Sequence, residues 1–387
     1  MARERSSGQF EKSEWLVSTP TVPGYGIDEE FNTTTQEHFF FPCPSCGRHI
    51  ELLFENLVVT AEDIRDVSIR DSHYICLECK MRLPSSVSPT NKADDAKCEW
   101  LAPGVWVPAS QTADPDNRGF YVNQMYSPTI TPVEMATAVI QSRTNKAVEQ
   151  ELHNSKFGNA HECEGARVTN EVFESCIHVG YTKRSNNWPG RLMTMGVDVG
   201  SDLHVEIDAW TLEPGYVTDV NVHAKAALVW EGKKKNFGEL DDLMRQYRIN
   251  YCVCDIFPER REATKFARRF RGYVALCFYA KGMSGKALQP PGKDPEDEFK
   301  INVDRTYWLD TSLGRFHNKT IMLPTDVSAE YKGHVRNIGR TFVENDDGLV
   351  VSRYVTTGGE DHFAHSRNYS EIALALAVNI QSNRDAT

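Results

Sequence analysis

The chain has 387 residues, enough for two or three domains with a sizeable core, and its 25% charged and 40% hydrophobic residues are an ordinary globular balance. A net charge of -11 excludes a surface coated in basic residues. Nucleic acid could then be met only through a local basic patch, or through metal ions that bridge carboxylates to phosphate. No run approaches the roughly 18 apolar residues that cross a bilayer. The opening MARERSSGQFEKSEW lacks the apolar segment of a secretory signal, so the ten cysteines read as thiols or metal ligands rather than disulfides.

In chain order, Trp15-Leu16-Val17 running into Ser18-Thr19-Pro20-Thr21 predicts a short buried strand and a turn, which Pro23, Gly24 and Gly26 extend. Cys43-Pro-Ser-Cys46-Gly47 and Cys76-Leu-Glu-Cys79 follow as two C-x-x-C knuckles around an insert whose segments 52–59 and 72–75 predict ribbon strands. Four thiolates so arranged fit a tetrahedral Zn²⁺ site, and they leave no open coordination position, so the role expected is structural. A redox pair is the rival reading. His49 and His73 nearby read as surface residues.

The Pro/Ser/Asp-rich segment 84–97 reads as a linker, and 100–107 and 119–126 as short strands. Thr131-Pro132-Val133-Glu134 opens a helix, with threonine as N-cap, proline at the first helical position and glutamate in the first turn. That helix runs toward Gln150, and a further segment ends near Gly158.

From Trp188 the pattern changes. LMTMGVDVGSDLHVEIDAW (192–210) predicts a β-hairpin whose buried first strand carries Asp198 near its end. A third strand over 225–230, a helix over 236–247, a strand 251–255 ending on Asp255, a helix 258–271 and a strand 273–279 follow. Three strands, helix, strand, helix, strand is the order of a ribonuclease-H-like mixed α/β sheet. In it Asp198 and Asp255 would be neighbours at one sheet edge. Each aspartate alone reads either as a metal ligand or as a strand-end cap. Arg260, Arg261, Lys265 and Arg268 make one face of the 258–271 helix basic, which is either a solvated face or a contact to DNA phosphates. A Gly/Pro-rich loop spans 281–300. Finally GGEDHFAH (358–365) leads into the apolar helix SEIALALAVNI, with Asp361 in its first turn and His365 one turn on.

Asp198, Asp255 and Asp361 could together hold two Mg²⁺ or Mn²⁺ ions ~4 Å apart, a pair suited to phosphodiester hydrolysis. Asp202, Glu206, Asp208 and Glu360 are the substitutes for any of the three. His365 reads as ligand, proton shuttle or orienter of Asp361.

The chain resembles the large subunit of the tailed-phage terminase, in particular its lambda-like class. WLVSTPTVPGYGI with TTQEHFFFPCPSCG is similar to the end of that family's ATPase domain and its zinc ribbon. RGFYVNQMYSPTITPVEM with ELHNSKFGNA resembles the helical lid and linker. MGVDVG, CDIFPERREATKFARRF and DHFAHSRNYSEIAL resemble the nuclease domain, whose acidic triad falls on Asp198, Asp255 and Asp361. The resemblance implies four parts: the end of an ATPase domain (1–42), a zinc ribbon (43–83), a linker and helical subdomain (84–187) and an RNase H-like nuclease (188–387). No G-x-x-x-x-G-K-[ST] occurs, so no ATP-binding residue is expected and the motor would lie elsewhere, through a split gene or because the chain is a fragment. The function implied is a metal-dependent endodeoxyribonuclease that cuts concatemeric phage DNA in the host cytoplasm. Its implied partners are double-stranded DNA, the separate ATPase part, a small terminase subunit and the portal, with no membrane. A Holliday-junction resolvase or transposase-like nuclease, and a non-catalytic zinc-ribbon docking module, are the competing readings.

Overall fold

The computed structural model describes residues 13–87, 93–143, 145–163, 165–184, 188–212, 220–281, 283, 287–290, 297–344 and 350–385. The polar start, part of the 84–97 segment and much of the 281–300 loop lie outside them. The chain forms two compact units, one of residues 1–164 with 341–351, the other of 165–340 with 352–387.

In the first unit, α1 (Ile27–Phe31) leads into β1 (Glu37–Pro42), which pairs antiparallel with β2 (His49–Ile50). The insert between the cysteine knuckles is a minimal ribbon, β3 (Leu57–Val58) against β4 (His73–Tyr74). After α2 (Asp95–Leu101), β5 (Val105–Pro108) adds to the other edge of β1, and α3 (Pro132–Ser142) and α4 (Lys146–Glu151) follow. The expected capping box at Thr131 is present: the Glu134 amide donates to Thr131 Oγ1 at 3.1 Å, and the Thr131 amide to Glu134 Oε2 at 2.7 Å.

Of three expected strands, 100–107 forms only over its end as β5, 119–126 is reduced to a bridge, and 15–17 is absent. The Asp94 carboxylate accepts from the Lys97 amide at 3.1 Å, and this N-cap turns Trp100 into a helical residue. Asn123 accepts from the Met125 amide at 3.0 Å, which folds 124–126 into a 3-10 turn and leaves of the 119–126 strand a single bridge at Phe120. Trp15 and Val17 are 83% and 92% exposed and irregular, so three apolar residues alone did not make a buried strand.

The second unit opens with α5 (Asn170–Glu174) and the hairpin β6 (Leu192–Val199) and β7 (Leu203–Leu212), which turns at 200–202. Next come α6 (Val220–His223), β8 (Ala224–Lys234), α7 (Phe237–Gln246), β9 (Tyr251–Asp255), α8 (Arg260–Arg269) and β10 (Val274–Tyr279). Then β11 (Leu288–Gln289), β12 (Lys300–Val303), α9 (Arg305–His317), β13 (Ile321–Met322), α10 (Ala329–Arg336), the two-stranded pair β14 (Ile338–Glu344) and β15 (Val350–Thr356), whose residues 341–351 count with the first unit, and α11 (His362–Asp385) complete the chain. The large sheet runs β11-β12-β10-β9-β6-β7-β8-β13. Its β6–β7 and β7–β8 pairs are antiparallel, and β6–β9 and β9–β10 are parallel. Counting from the hairpin, the order 3-2-1-4-5 with only the second strand reversed is the ribonuclease-H sheet.

Strand parity sorts the two faces. Met193, Met195 and Val197 of β6, with Cys252 and Cys254 of β9, pack on Leu240, Leu243, Ala263 and Phe266 of α7 and α8. On the other face Trp210, Tyr251 and Val253 join a core with Phe363, Tyr369 and Ile372 of α11 and with Leu309, Leu313 and Val335 of α9 and α10. At β6 the helix comes so close that a Cβ on Gly196 would lie 1.9 Å from the Ser366 carbonyl oxygen and 2.4 Å from the Ser370 amide nitrogen. Only glycine admits that approach. Among the described residues no helix is long and apolar enough to cross a membrane.

Candidate metal centre

Asp198 and Asp255 share the α11 face. Val197 pairs with Cys254 across the parallel β6–β9 ladder, so the two aspartates follow side by side where both strands end. Asp255 Oδ1 accepts from the Phe257 amide at 3.1 Å and Oδ2 from the Tyr369 hydroxyl at 3.1 Å. Burial raises the Asp255 carboxyl from 3.8 to about 6, and the Asp198 charge beside it adds to the rise against those hydrogen bonds. Asp198 is buried, and its Oδ2 lies 2.8 Å from Nδ1 of His362, which raises the pKa of that imidazole. Asp361 stands immediately before α11. Its Oδ2 accepts from the Thr356 hydroxyl at 2.6 Å and lies 3.5 Å from His365 Nε2. Burial pushes its carboxyl up, but the His365 and Thr356 contacts and the Arg305 charge outweigh that and hold it well below the usual carboxylate range. His365 Nδ1 is 3.1 Å from the Tyr279 hydroxyl, whose ring stacks on Tyr369. One face of α11 (His362, His365, Tyr369, at i, i+3 and i+7) therefore touches all three aspartates.

The substitute carboxylates have other duties. Asp202 pairs with Lys235 at 2.6 Å, and Glu360 faces His334 at 3.5 Å. Glu206 and Asp208 sit on β7 under α11, where both bind the guanidinium of Arg367, Glu206 at 2.9 Å. Arg367 also donates to Glu371 at 2.7 Å, and Arg315 binds the same carboxylate at 2.5 and 2.6 Å. All five side chains are buried. Burial drives the Glu206 carboxyl well up, and the Asp208 charge reinforces it. This lattice pins the helix to the sheet through charge-assisted bonds.

His204 and His362 were not among the sequence-derived candidates. His204 stands directly across from Asp198 in the β6–β7 ladder, and its ring stacks on His362 with centroids 4.4 Å apart. Burial lowers its pKa to about 4, and the neighbouring His362 charge contributes. A signal was present in the parity of β7, where His204, Glu206 and Asp208 line one face of a strand read for its apolar Val205, Ile207 and Ala209.

On α8 the basic residues divide. Arg260 pairs with Asp297 at 3.5 Å and Lys265 with Glu262 at 2.7 Å, while Arg261 and Arg268 are exposed.

In the first unit, the Sγ atoms of Cys43, Cys46, Cys76 and Cys79 lie within 4.8 Å of one another. The two knuckles are copies in backbone geometry. Gly47 and Lys80 donate to the carbonyls of Cys43 and Cys76 at 2.9 and 2.8 Å, and both have positive φ, 72° and 62°. Cys43 and Cys76 donate in turn to the carbonyls of Arg48 and Met81 at 2.8 and 2.9 Å. No disulfide joins the four.

The second unit is thus an RNase H-type α/β domain with acidic residues where its central strands end. Residues 1–100 of the chain match the family model described as phage terminase large subunit gpA, ATPase domain. The resemblance to a terminase large subunit therefore stands on that stretch. No curated protein matches the chain. Among solved structures, the large terminase nuclease of thermophilic phage G20c with bound magnesium is similar at 14% identity and a TM-score of 0.34, over 54% of this chain and 98% of that one. The nuclease domain of the bacteriophage SPP1 large terminase with bound Mn is similar at 12% and 0.27, over 53% and 95%. The large terminase of a second thermophilic bacteriophage is similar at 13% and 0.31, over 62% of this chain and 51% of that one, so the match spans about half its length.

Proposed function

We propose that the second unit is the metal-dependent endonuclease of a phage terminase large subunit, with Asp198, Asp255 and Asp361 as the ligands of two Mg²⁺ or Mn²⁺ ions. The observation that carries this reading is the Asp198–Asp255 pair. Two carboxylates end side by side on neighbouring strands, one is held near 6 by burial and by the other's charge, and among the described residues no lysine or arginine pairs with either. A cation relieves such a pair, and all-oxygen donors suit Mg²⁺ or Mn²⁺. When bound, a divalent pair supplies the water activation and leaving-oxygen stabilisation that phosphodiester hydrolysis requires.

The protein's own groups set the frame for that chemistry. Tyr369 and the Phe257 amide fix the Asp255 carboxylate, and His362 fixes Asp198. His365, between Asp361 and Tyr279, orients Asp361, and the Tyr279 hydroxyl, which accepts from the Asn368 amide, is set to donate to the imidazole. Arg261 and Arg268 are exposed on α8 and can meet the DNA backbone, with Arg260 and Lys265 available once their surface ion pairs open.

The match of residues 1–100 to a terminase ATPase domain supports the packaging context. In that context the ribbon of Cys43, Cys46, Cys76 and Cys79 holds a structural Zn²⁺, and 84–187 links it to the nuclease at 188–387. ATP-driven movement comes from a separate ATPase part, while a small terminase subunit and the portal direct cutting of concatemeric double-stranded DNA in the host cytoplasm.

The test is cleavage of supercoiled plasmid with Mn²⁺, Mg²⁺ or EDTA, alone and with the ATPase chain added. Metal-dependent linearisation that disappears in Asp198→Ala is the result expected. Cutting that persists in Asp198→Ala, or no cutting with metal and ATPase chain both present, overturns the assignment.

A further inference from the structure

A second cluster of donors adjoins the carboxylates, and it differs from them in chemistry. The donor atoms of Asp198, His204 and His362 lie within 4.8 Å of one another, and so do those of His204, Glu330 and Glu360. His204 belongs to both groups. It is 4% exposed, and neither of its ring nitrogens has a hydrogen-bond partner among the described residues. Buried imidazoles almost always place at least one nitrogen in a bond, and a buried ring that leaves both unmade is destabilised by the lost solvation of each. His334 stands at the back, its Nδ1 accepting from the Phe363 amide at 3.4 Å and its Nε2 facing Glu360 at 3.5 Å. Lys233 pairs with Glu330, so three carboxylates and one ammonium surround three imidazoles, and the locus favours a cation.

We propose that His204 and His362, with Asp198 and the Glu330–Glu360 pair as the available oxygen donors, form a third metal site that takes an imidazole-preferring divalent ion of the Zn²⁺ or Co²⁺ class. Two neutral imidazoles with a carboxylate are the donor set of such ions, whereas Mg²⁺ and Ca²⁺ select oxygen alone. An ion here gives both His204 nitrogens a use, one as ligand and one as donor to a neighbouring carboxylate, the usual arrangement around a ligating histidine. It also ties four elements together at one point, since Asp198 lies on β6, His204 on β7, Glu330 on α10 and His362 on α11. The site goes beyond the nuclease reading and shares with it Asp198 and the imidazole of His362 that holds that carboxylate.

Cobalt(II) added to the full-length, zinc-loaded chain tests this by absorption spectroscopy. Visible d–d bands without the near-ultraviolet thiolate-to-cobalt band are expected, because the cysteine ribbon alone would give the latter. His204→Ala and the more exposed His362→Gln should each weaken that cobalt binding by on the order of 10–100-fold. Circular dichroism identifies any variant that fails to fold, and His362→Gln, at the mouth of the site, supplies the decisive comparison. Asp255→Asn should leave the bands in place even though it removes a proposed nuclease ligand, so loss of cutting and loss of cobalt binding are read separately. Absence of the bands, their survival in His362→Gln, or their loss in Asp255→Asn overturns the proposal.

Discussion

Asp255→Asn should stabilise the metal-free protein above neutral pH. The folded chain holds this carboxyl near 6 against an ordinary 3.8, so between those values the folded state binds more protons than the unfolded one. Stability then falls as pH rises through that window, the reverse of an ordinary salt-bridged aspartate, and the penalty is complete above the folded value. At 1.36 kcal/mol per pH unit, the gap between 3.8 and about 6 is worth about 3 kcal/mol. Asparagine keeps the acceptor for the Phe257 amide and an amide group beside the Tyr369 hydroxyl, so the substitution removes the charge and little else. Urea unfolding of the chelator-treated protein, followed by near-ultraviolet circular dichroism, should show the variant more stable by up to about 3 kcal/mol at pH 7.5, with the gain shrinking toward zero near pH 4. Saturating Mn²⁺ should erase the advantage, because the ion stabilises only the wild-type pair. A variant no more stable than wild type at pH 7.5 without metal refutes the claim that the site is a carboxylate pair awaiting a cation.

Gly196→Ala should destabilise by about 3 kcal/mol or more, since both atoms that its Cβ would strike belong to the α11 backbone. Gly200→Ala, whose Cβ would find its nearest neighbour at 3.6 Å, is the matched control, and equal melting temperatures for the two would refute the close packing. Arg367→Met should cost roughly 3–5 kcal/mol, because Glu206, Asp208 and Glu371 lose their shared guanidinium inside the core; a loss below about 1 kcal/mol in chemical denaturation would show the lattice to be dispensable.

The sequence made the sheet legible because its strands are buried on both faces and bounded by Gly, Asn and Pro, and because the helix between β8 and β9 begins at a plain Asn236 cap. The Thr131 cap was equally plain. Strands that depend on a distant partner were not. Trp15–Val17 met no partner strand among the described residues, and the side chains of Asp94 and Asn123 captured nearby amides and turned parts of two expected strands into helical turns. Of the candidate centre, the strand-end aspartates were visible as buried charge, and their adjacency followed from strand order. The placement of His204 was not, because its meaning comes from the cross-strand register with Asp198 and from the stacking of His362, which arrives from the other end of the domain. Nor did composition distinguish Glu206 and Asp208 from metal ligands. Only the presence of Arg367 over them does so.

The dependence of the acidic residues on α11 has a consequence for the order in which the protein comes into being. His362 holds Asp198, Tyr369 holds Asp255, and Arg367 closes the core beneath them, yet all three follow every strand of the large sheet in the chain. During synthesis the sheet can emerge and pair while these anchors are still inside the ribosome. A nascent chain therefore carries its acidic strand ends unfastened, and the groups that aim them arrive last. A chain cut short before the final helix would keep its acidic strand ends and lose every group that holds them in place.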